Sequence, residues 1–197
     1  MKKIITMCWL IATSLGLLAL NDGKKKPTKD KCVDITFDYE RKSGPGSNQY
    51  AVWIENEQNE VVKTLFVTSF TTKGRVREGQ PIRRGYTYRT ACVPTWVTNV
   101  KANEMTDAEL DAFTGATPKE SAKQTFTWDF TDDNGKRVSK GTYKVFVEAT
   151  LKNECRIQFS GSVNTKGKAG EVPMTVTEIG SNDQYAGMVK NVKVVVK

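Results

Sequence analysis

A chain of 197 residues, 38% of them apolar, carries enough hydrophobic material for a single core. It contains no histidine, which excludes a Ser-His-Asp triad, a Cys-His dyad and histidine-ligated zinc or heme. The formal charge of +8 would suit a polyanion, but the basic residues gather in an N-terminal lysine run and one loop-like stretch. They do not interleave with aromatics on one face, so no nucleic-acid partner is expected.

The chain opens with Met1-Lys2-Lys3 and an uncharged run from Ile4 to Leu20. A basic start followed by an apolar segment reads as a secretory signal over residues 1–20. The run is also nearly long enough to stay as an N-terminal anchor. Lys24, Lys25 and Lys26 would then lie on the outer side, against the positive-inside preference, so cleavage is the favoured reading. Either way the expected location is the periplasm or another extracytosolic part of the cell envelope. Residues 21–31 read as a basic linker and residues 32–197 as one domain. Outside the signal stand Cys32, Cys92 and Cys155, with no C-x-x-C pair. In an oxidising compartment two of them would form a structural disulfide, and sequence does not select the pair.

From Cys32 onward period-2 alternation dominates. Val33, Ile35, Phe37 and Tyr39 alternate with Asp34, Thr36 and Asp38, which predicts a strand with one wet face. After a Gly/Pro/Ser loop, Tyr50, Val52 and Ile54 predict a second strand. Val61 to Val67 should pair back across the polar turn Asn56-Glu57-Gln58-Asn59. Between Thr68 and Glu120 lies a long connection of the kind that carries function. It holds one predicted helix, opened by the capping box Thr106-Asp107-Ala108-Glu109 and closed by Gly115 and Pro118. Phe126, Trp128 and Phe130 predict the next strand, with Trp128 in the core, and Asp132-Asp133-Asn134-Gly135 predicts a turn. Further strands are expected at Tyr143 to Val147, Cys155 to Val163, Val172 to Thr177 and Val192 to Val196. The fold class is all-β: an Ig-like antiparallel β-sandwich with a long loop insertion carrying one short helix.

Three stretches resemble one family. They are Tyr50-Ala51-Val52-Trp53-Ile54-Glu55 with Val61-Val62-Lys63-Thr64-Leu65, then Asp111-Ala112-Phe113-Thr114-Gly115-Ala116-Thr117, and then Thr127-Trp128-Asp129 through Gly135, Val138, Gly141 and Tyr143. Together they resemble the predicted periplasmic proteins of domain of unknown function 2271. The third is also similar to the Ig-like domain of flagellar hook-assembly scaffold proteins, a likeness of fold only.

The second stretch is the chemical one. Asp-x-x-Thr-Gly-Ala-Thr is similar to the signature at which periplasmic flavin transferases attach FMN. That resemblance implies Thr117 as the FMN acceptor, Gly115 and Ala116 as small neighbours giving access, Asp111 as a recognition group and Thr114 as part of the signature. It also implies covalent FMN, a periplasmic flavin transferase as partner, and a membrane reductase or other redox partner. The expected function is extracytosolic electron transfer by a flavin carrier that is not itself a turnover enzyme. The competing reading is that Thr114 to Thr117 merely closes a helix in a non-catalytic Ig-like binding or scaffold module of the cell envelope. Other polar groups are weaker candidates. Asp129, Asp132, Asp133 and Asn134 miss calcium-loop spacing and suit a turn. Asp38, Glu40, Glu55, Glu57 and Glu60 are expected on solvated faces, and Trp96 is expected to anchor the insertion.

Overall fold

The computed structural model describes residues 31–43, 47–75, 78–79, 83–151, 155–180 and 187–197. The signal or anchor at residues 1–20, and all of the linker except Lys31, lie outside them.

The predicted alternation appears at once in Val33–Tyr39 (β1), where Val33, Ile35, Phe37 and Tyr39 are buried and the residues between them are not. Gln49–Glu55 (β2) and Val61–Thr68 (β3) pair antiparallel as expected. The chain then leaves the sheet through Ser69–Lys73 (α1), Gly85–Tyr88 (α2), Pro94–Asn99 (α3) and Asp107–Asp111 (α4). It returns as the two-residue strand Thr114–Gly115 (β4). Ala122–Trp128 (β5), Thr142–Thr150 (β6), Arg156–Asn164 (β7), Gly170–Val172 (β8), Thr175–Ile179 (β9) and Val189–Val196 (β10) complete the fold.

Two sheets result, in the orders β5-β1-β10-β8 and β4-β3-β2-β6-β7-β9. Their facing sides enclose the main core, with Ile35, Phe37, Tyr50, Val52, Val145, Val147 and Trp128 at its centre. This is an all-β sandwich. Trp128 is fully buried against Phe130 and Tyr143, and its indole N–H donates to the Thr131 carbonyl at 2.9 Å. Gly135 closes the turn after β5 at φ 75°, a conformation that disfavours any side chain with a Cβ.

A second apolar cluster lies on the outer face of the six-stranded sheet, where Ala51, Trp53 and Val67 meet Tyr86, Cys92, Val93, Trp96 and Leu110 of the insertion. The insertion is therefore a packed layer, and it leaves every residue of β2 buried. Two carboxylates hold it down. Glu148, buried in β6, accepts from the N–H groups of Thr95 (3.3 Å) and Trp96 (3.1 Å) at the start of α3, with Arg156 at 3.7 Å. Glu55 accepts from the Trp53 indole (2.7 Å) and from Asn99 (2.6 Å). Trp96 is fully buried and donates to Thr64, which makes it an anchor as expected.

Several expectations are corrected. Among the described residues the insertion carries four short helices, not one. Three of them lack any side-chain cap and span four to six residues, too short for a 3.6-residue pattern to register. Only α4 shows its capping box, with Thr106 and Glu109 bonded reciprocally. Gly115 does not end that helix, which stops at Asp111. The stretch Val172 to Thr177 breaks at Pro173 into two strands that join different sheets. Phe130 lies past β5 at φ 60°. Glu55 is buried because the helical layer covers it. Cys32, Cys92 and Cys155 are unbridged. Cys92 belongs to the outer cluster while Cys155 packs on the inner core, so the six-stranded sheet lies between them.

Candidate functional site

The Asp111 to Thr117 stretch carries the chain from the helical layer back into the sandwich. Asp111 is the last residue of α4, is exposed, and forms an ion pair with Lys73 of α1. Thr114 and Gly115 then pair in parallel with the end of β3, Val67 facing Thr114 and Thr68 facing Gly115. Beyond Gly115 the backbone leaves the edge of one sheet and crosses to the edge of the other. There β5 begins with Ala122 opposite Tyr39. Residues 116–121 form that bridge.

Each residue of the signature has a distinct environment. The Thr114 hydroxyl is tied down, 2.5 Å from the Leu110 carbonyl and 2.9 Å from the Thr72 hydroxyl. Gly115 lies flat on the Phe66 ring, where an added Cβ would come within 2.1 Å of Cε2. Phe66 in turn stacks on Tyr50 at 4.9 Å and leans on Phe126 at 5.3 Å, so the floor under the glycine is fixed. Ala116 is exposed. Thr117 is half-buried, and its hydroxyl has no hydrogen-bond partner among the described residues. Of the two threonines, only Thr117 keeps its oxygen unengaged.

The far side of the bridge is fastened by the end of β1. The Pro118 carbonyl accepts from the Arg41 guanidinium at 3.0 Å and from the Tyr39 hydroxyl at 3.4 Å. The Arg41 backbone N–H donates to the Ser121 hydroxyl at 2.9 Å. Burial pushes the Tyr39 phenol up, and the Arg41 charge beside it pulls part of the way back. Next along the chain, Glu40 is held at about 2 by hydrogen bonds from Lys190 and Lys42. Arg41 itself has no carboxylate partner among the described residues. Arg41 thus stands beside the loop without a carboxylate partner, while the Lys73 charge is met by Asp111.

Contiguity in the chain keeps Asp111, Thr114, Gly115, Ala116 and Thr117 together, but they do not converge. No hydrogen bond joins Asp111 to Thr117, and the Asp111 carboxylate turns to Lys73. Phe66, Thr72, Tyr39 and Arg41 were missed by sequence reasoning. The first two carry no local signal, and Arg41 lies 77 positions from the carbonyl it binds.

The acidic turn after β5 is committed to backbone N–H groups of the turn itself and of β3. Asp132 accepts from the N–H groups of Asn134 and Lys136, Asp133 from that of Thr64, and Asp129 from Thr131. No helix among the described residues is long and apolar enough to cross a membrane. Comparison with protein-family models matches residues 32–180 to the model described as predicted periplasmic protein, domain of unknown function 2271. No curated protein and no solved structure matches the chain.

Proposed function

The chain belongs to the family of predicted periplasmic proteins designated domain of unknown function 2271, and from that premise we propose that it is an extracytosolic electron carrier holding FMN covalently on Thr117. The observation that carries the reading is the contrast between the two threonines. The Thr114 hydroxyl is consumed by Leu110 and Thr72, while that of Thr117 is unengaged on a bridge whose neighbour Ala116 is exposed.

In the transfer, the Thr117 Oγ attacks the FMN phosphorus of FAD. The phosphoanhydride bond breaks, AMP leaves with the bridging oxygen, and the hydroxyl proton passes to a base on the transferase. A phosphodiester joins Thr117 to FMN, with no net oxidation. The attached flavin would supply one- or two-electron redox chemistry between a membrane reductase and an acceptor. The chain contributes the acceptor hydroxyl, the small residues around it and a rigid mounting. Turnover chemistry belongs to the partners.

A non-catalytic scaffold module is the second reading. What favours it is that packing alone accounts for two members of the signature, Thr114 through its hydrogen bonds and Gly115 through Phe66. Packing gives no reason for Ala116 or for the unengaged Thr117 hydroxyl.

Intact mass spectrometry of protein co-expressed with a periplasmic flavin transferase separates the two. Wild type should gain one FMN phosphodiester, and Thr117→Ala should gain none. Thr114→Ala, which keeps the acceptor, should retain the label at a reduced level. Unmodified wild type beside a labelled control acceptor in the same cells would leave the scaffold reading in its place.

A further inference from the structure

Arg41 reaches the candidate loop from the end of a strand of the other sheet. It follows β1 directly, is exposed, and directs one guanidinium nitrogen to the carbonyl of Pro118, the residue after Thr117. Its backbone N–H is separately satisfied by Ser121. A guanidinium carries five donors in a planar fork; the Pro118 carbonyl takes one nitrogen and the Tyr39 hydroxyl lies against the group, which leaves donors over. No carboxylate among the described residues neutralises the charge. The nearest acid in sequence, Glu40, is already shared between Lys42 and Lys190. A guanidinium with no carboxylate partner, bonded to the carbonyl of the residue after Thr117, is placed to meet an anion carried on that loop.

We propose that Arg41 is the phosphate-binding residue of the acceptor loop, pairing with the phosphoryl oxygens of FAD during transfer and with the phosphodiester afterwards. The proposal rests on the flavin-carrier reading. Arginine suits the task because its fork pairs with phosphate oxygens and its charge persists at any working pH. In the transfer the attacked phosphorus gains negative charge on its non-bridging oxygens, so a fixed cation lowers the barrier. After transfer the single negative charge of the diester remains beside Arg41, which holds the flavin's attachment point against the loop. The role differs from that of Asp111, whose carboxylate would repel phosphate and is occupied by Lys73.

Two readouts test this on the full mature chain, with Thr117→Ala as the unlabelled baseline. The first is the initial rate of FMN incorporation from FAD and Mg²⁺ by purified transferase, followed by intact mass. Arg41→Gln should slow it about 10-fold or more, the loss of one charge-assisted hydrogen bond, and Arg41→Lys should fall between. The second is the ³¹P resonance of the loaded protein. In wild type it should move on unfolding in urea. In Arg41→Gln the folded resonance should already lie near the unfolded one, and Arg41→Lys should be intermediate. A merely structural anchor would not give this graded return with charge. Should Arg41→Gln not fold, the Arg41→Lys rate and resonance carry the test alone. Labelled wild type with unchanged rate and resonance in both variants overturns the role of Arg41 and leaves the carrier reading standing. Unlabelled wild type overturns both.

Discussion

Burying a carboxylate disfavours its charged form unless hydrogen bonds and a counter-charge compensate, and Glu148 is the clearest case here. Burial pushes its carboxyl up, and the N–H groups of Trp96 and Thr95 and the Arg156 charge bring it only part of the way down. The sign of the pH effect follows. A carboxyl with a raised folded pKa holds its proton more tightly in the folded chain than in the unfolded one. Stability is therefore greatest below the unfolded value and falls as pH rises through the raised folded value. Glu148→Gln keeps an acceptor oxygen for α3 but removes this titration. Urea denaturation from about pH 4 to about pH 8 should show the stability difference moving in favour of the variant as pH rises, then levelling off. A difference that stays flat across that range would mean that Glu148 is not raised. The same charge, left without Arg156, would be an uncompensated buried ion, which explains why β7 supplies an arginine at that register opposite Thr150.

Between elements, the decisive contact at the candidate site is β4 upon β3. Gly115 has no positive φ, so its requirement is one of space: the Phe66 ring occupies the volume that a Cβ would take. Gly115→Ala should cost roughly 1–3 kcal/mol, the usual penalty of overpacking, because Phe66 is wedged between Tyr50 and Phe126 and cannot swing aside. The check is a double-mutant cycle with Phe66→Ala. The two changes should couple favourably, since removal of the ring makes room for the methyl group. Additive losses would show that the glycine serves something other than Phe66. The case also marks how far sequence reasoning reached. Gly115 carries a strong helix-stop signal beside Pro118, and that local reading failed because the pairing of β4 with β3 is set by a segment 47 positions upstream. A strand with clean alternation, such as β1, was legible because alternate residues enter the core while those between them stay partly open to solvent. β2 was placed correctly, but its two-sided burial was hidden, since nothing local announces that the helical layer will cover Trp53 and Glu55. The Asp111 to Thr117 stretch was legible as a motif, while the contact of Arg41 with Pro118 was not, because it arises only when the end of β1 meets the bridge.

At the scale of the molecule the six-stranded sheet is shared by two apolar clusters, and each has a tryptophan at its centre. Trp128 belongs to the inner core between the sheets, Trp96 to the outer layer that the insertion builds. The inner cluster joins strands from both ends of the chain, so losing its centre should weaken everything at once. Trp128→Ala should lower global stability by roughly 3–5 kcal/mol, because the rings of Phe130 and Tyr143 cannot close the cavity. The outer cluster fastens a layer onto a sheet that already has its own core. Trp96→Ala removes the indole bond to Thr64 and the edge contact with Phe113, and it should release that layer locally. Hydrogen exchange separates the two outcomes. In Trp96→Ala, amides of α3 and α4 should lose protection while those of β1 and β6 keep theirs. In Trp128→Ala, protection should fall in both sets together. The consequence reaches the candidate site, because β4 is tied on one side to the layer through Thr114 and Leu110 and on the other to β3. Releasing α3 and α4 should cost the Thr114 hydroxyl its bond to Leu110 while the Arg41 and Tyr39 contacts to Pro118 persist. If Trp96→Ala instead unfolds the sandwich with a single transition and uniform loss of protection, the insertion is an integral part of one cooperative core.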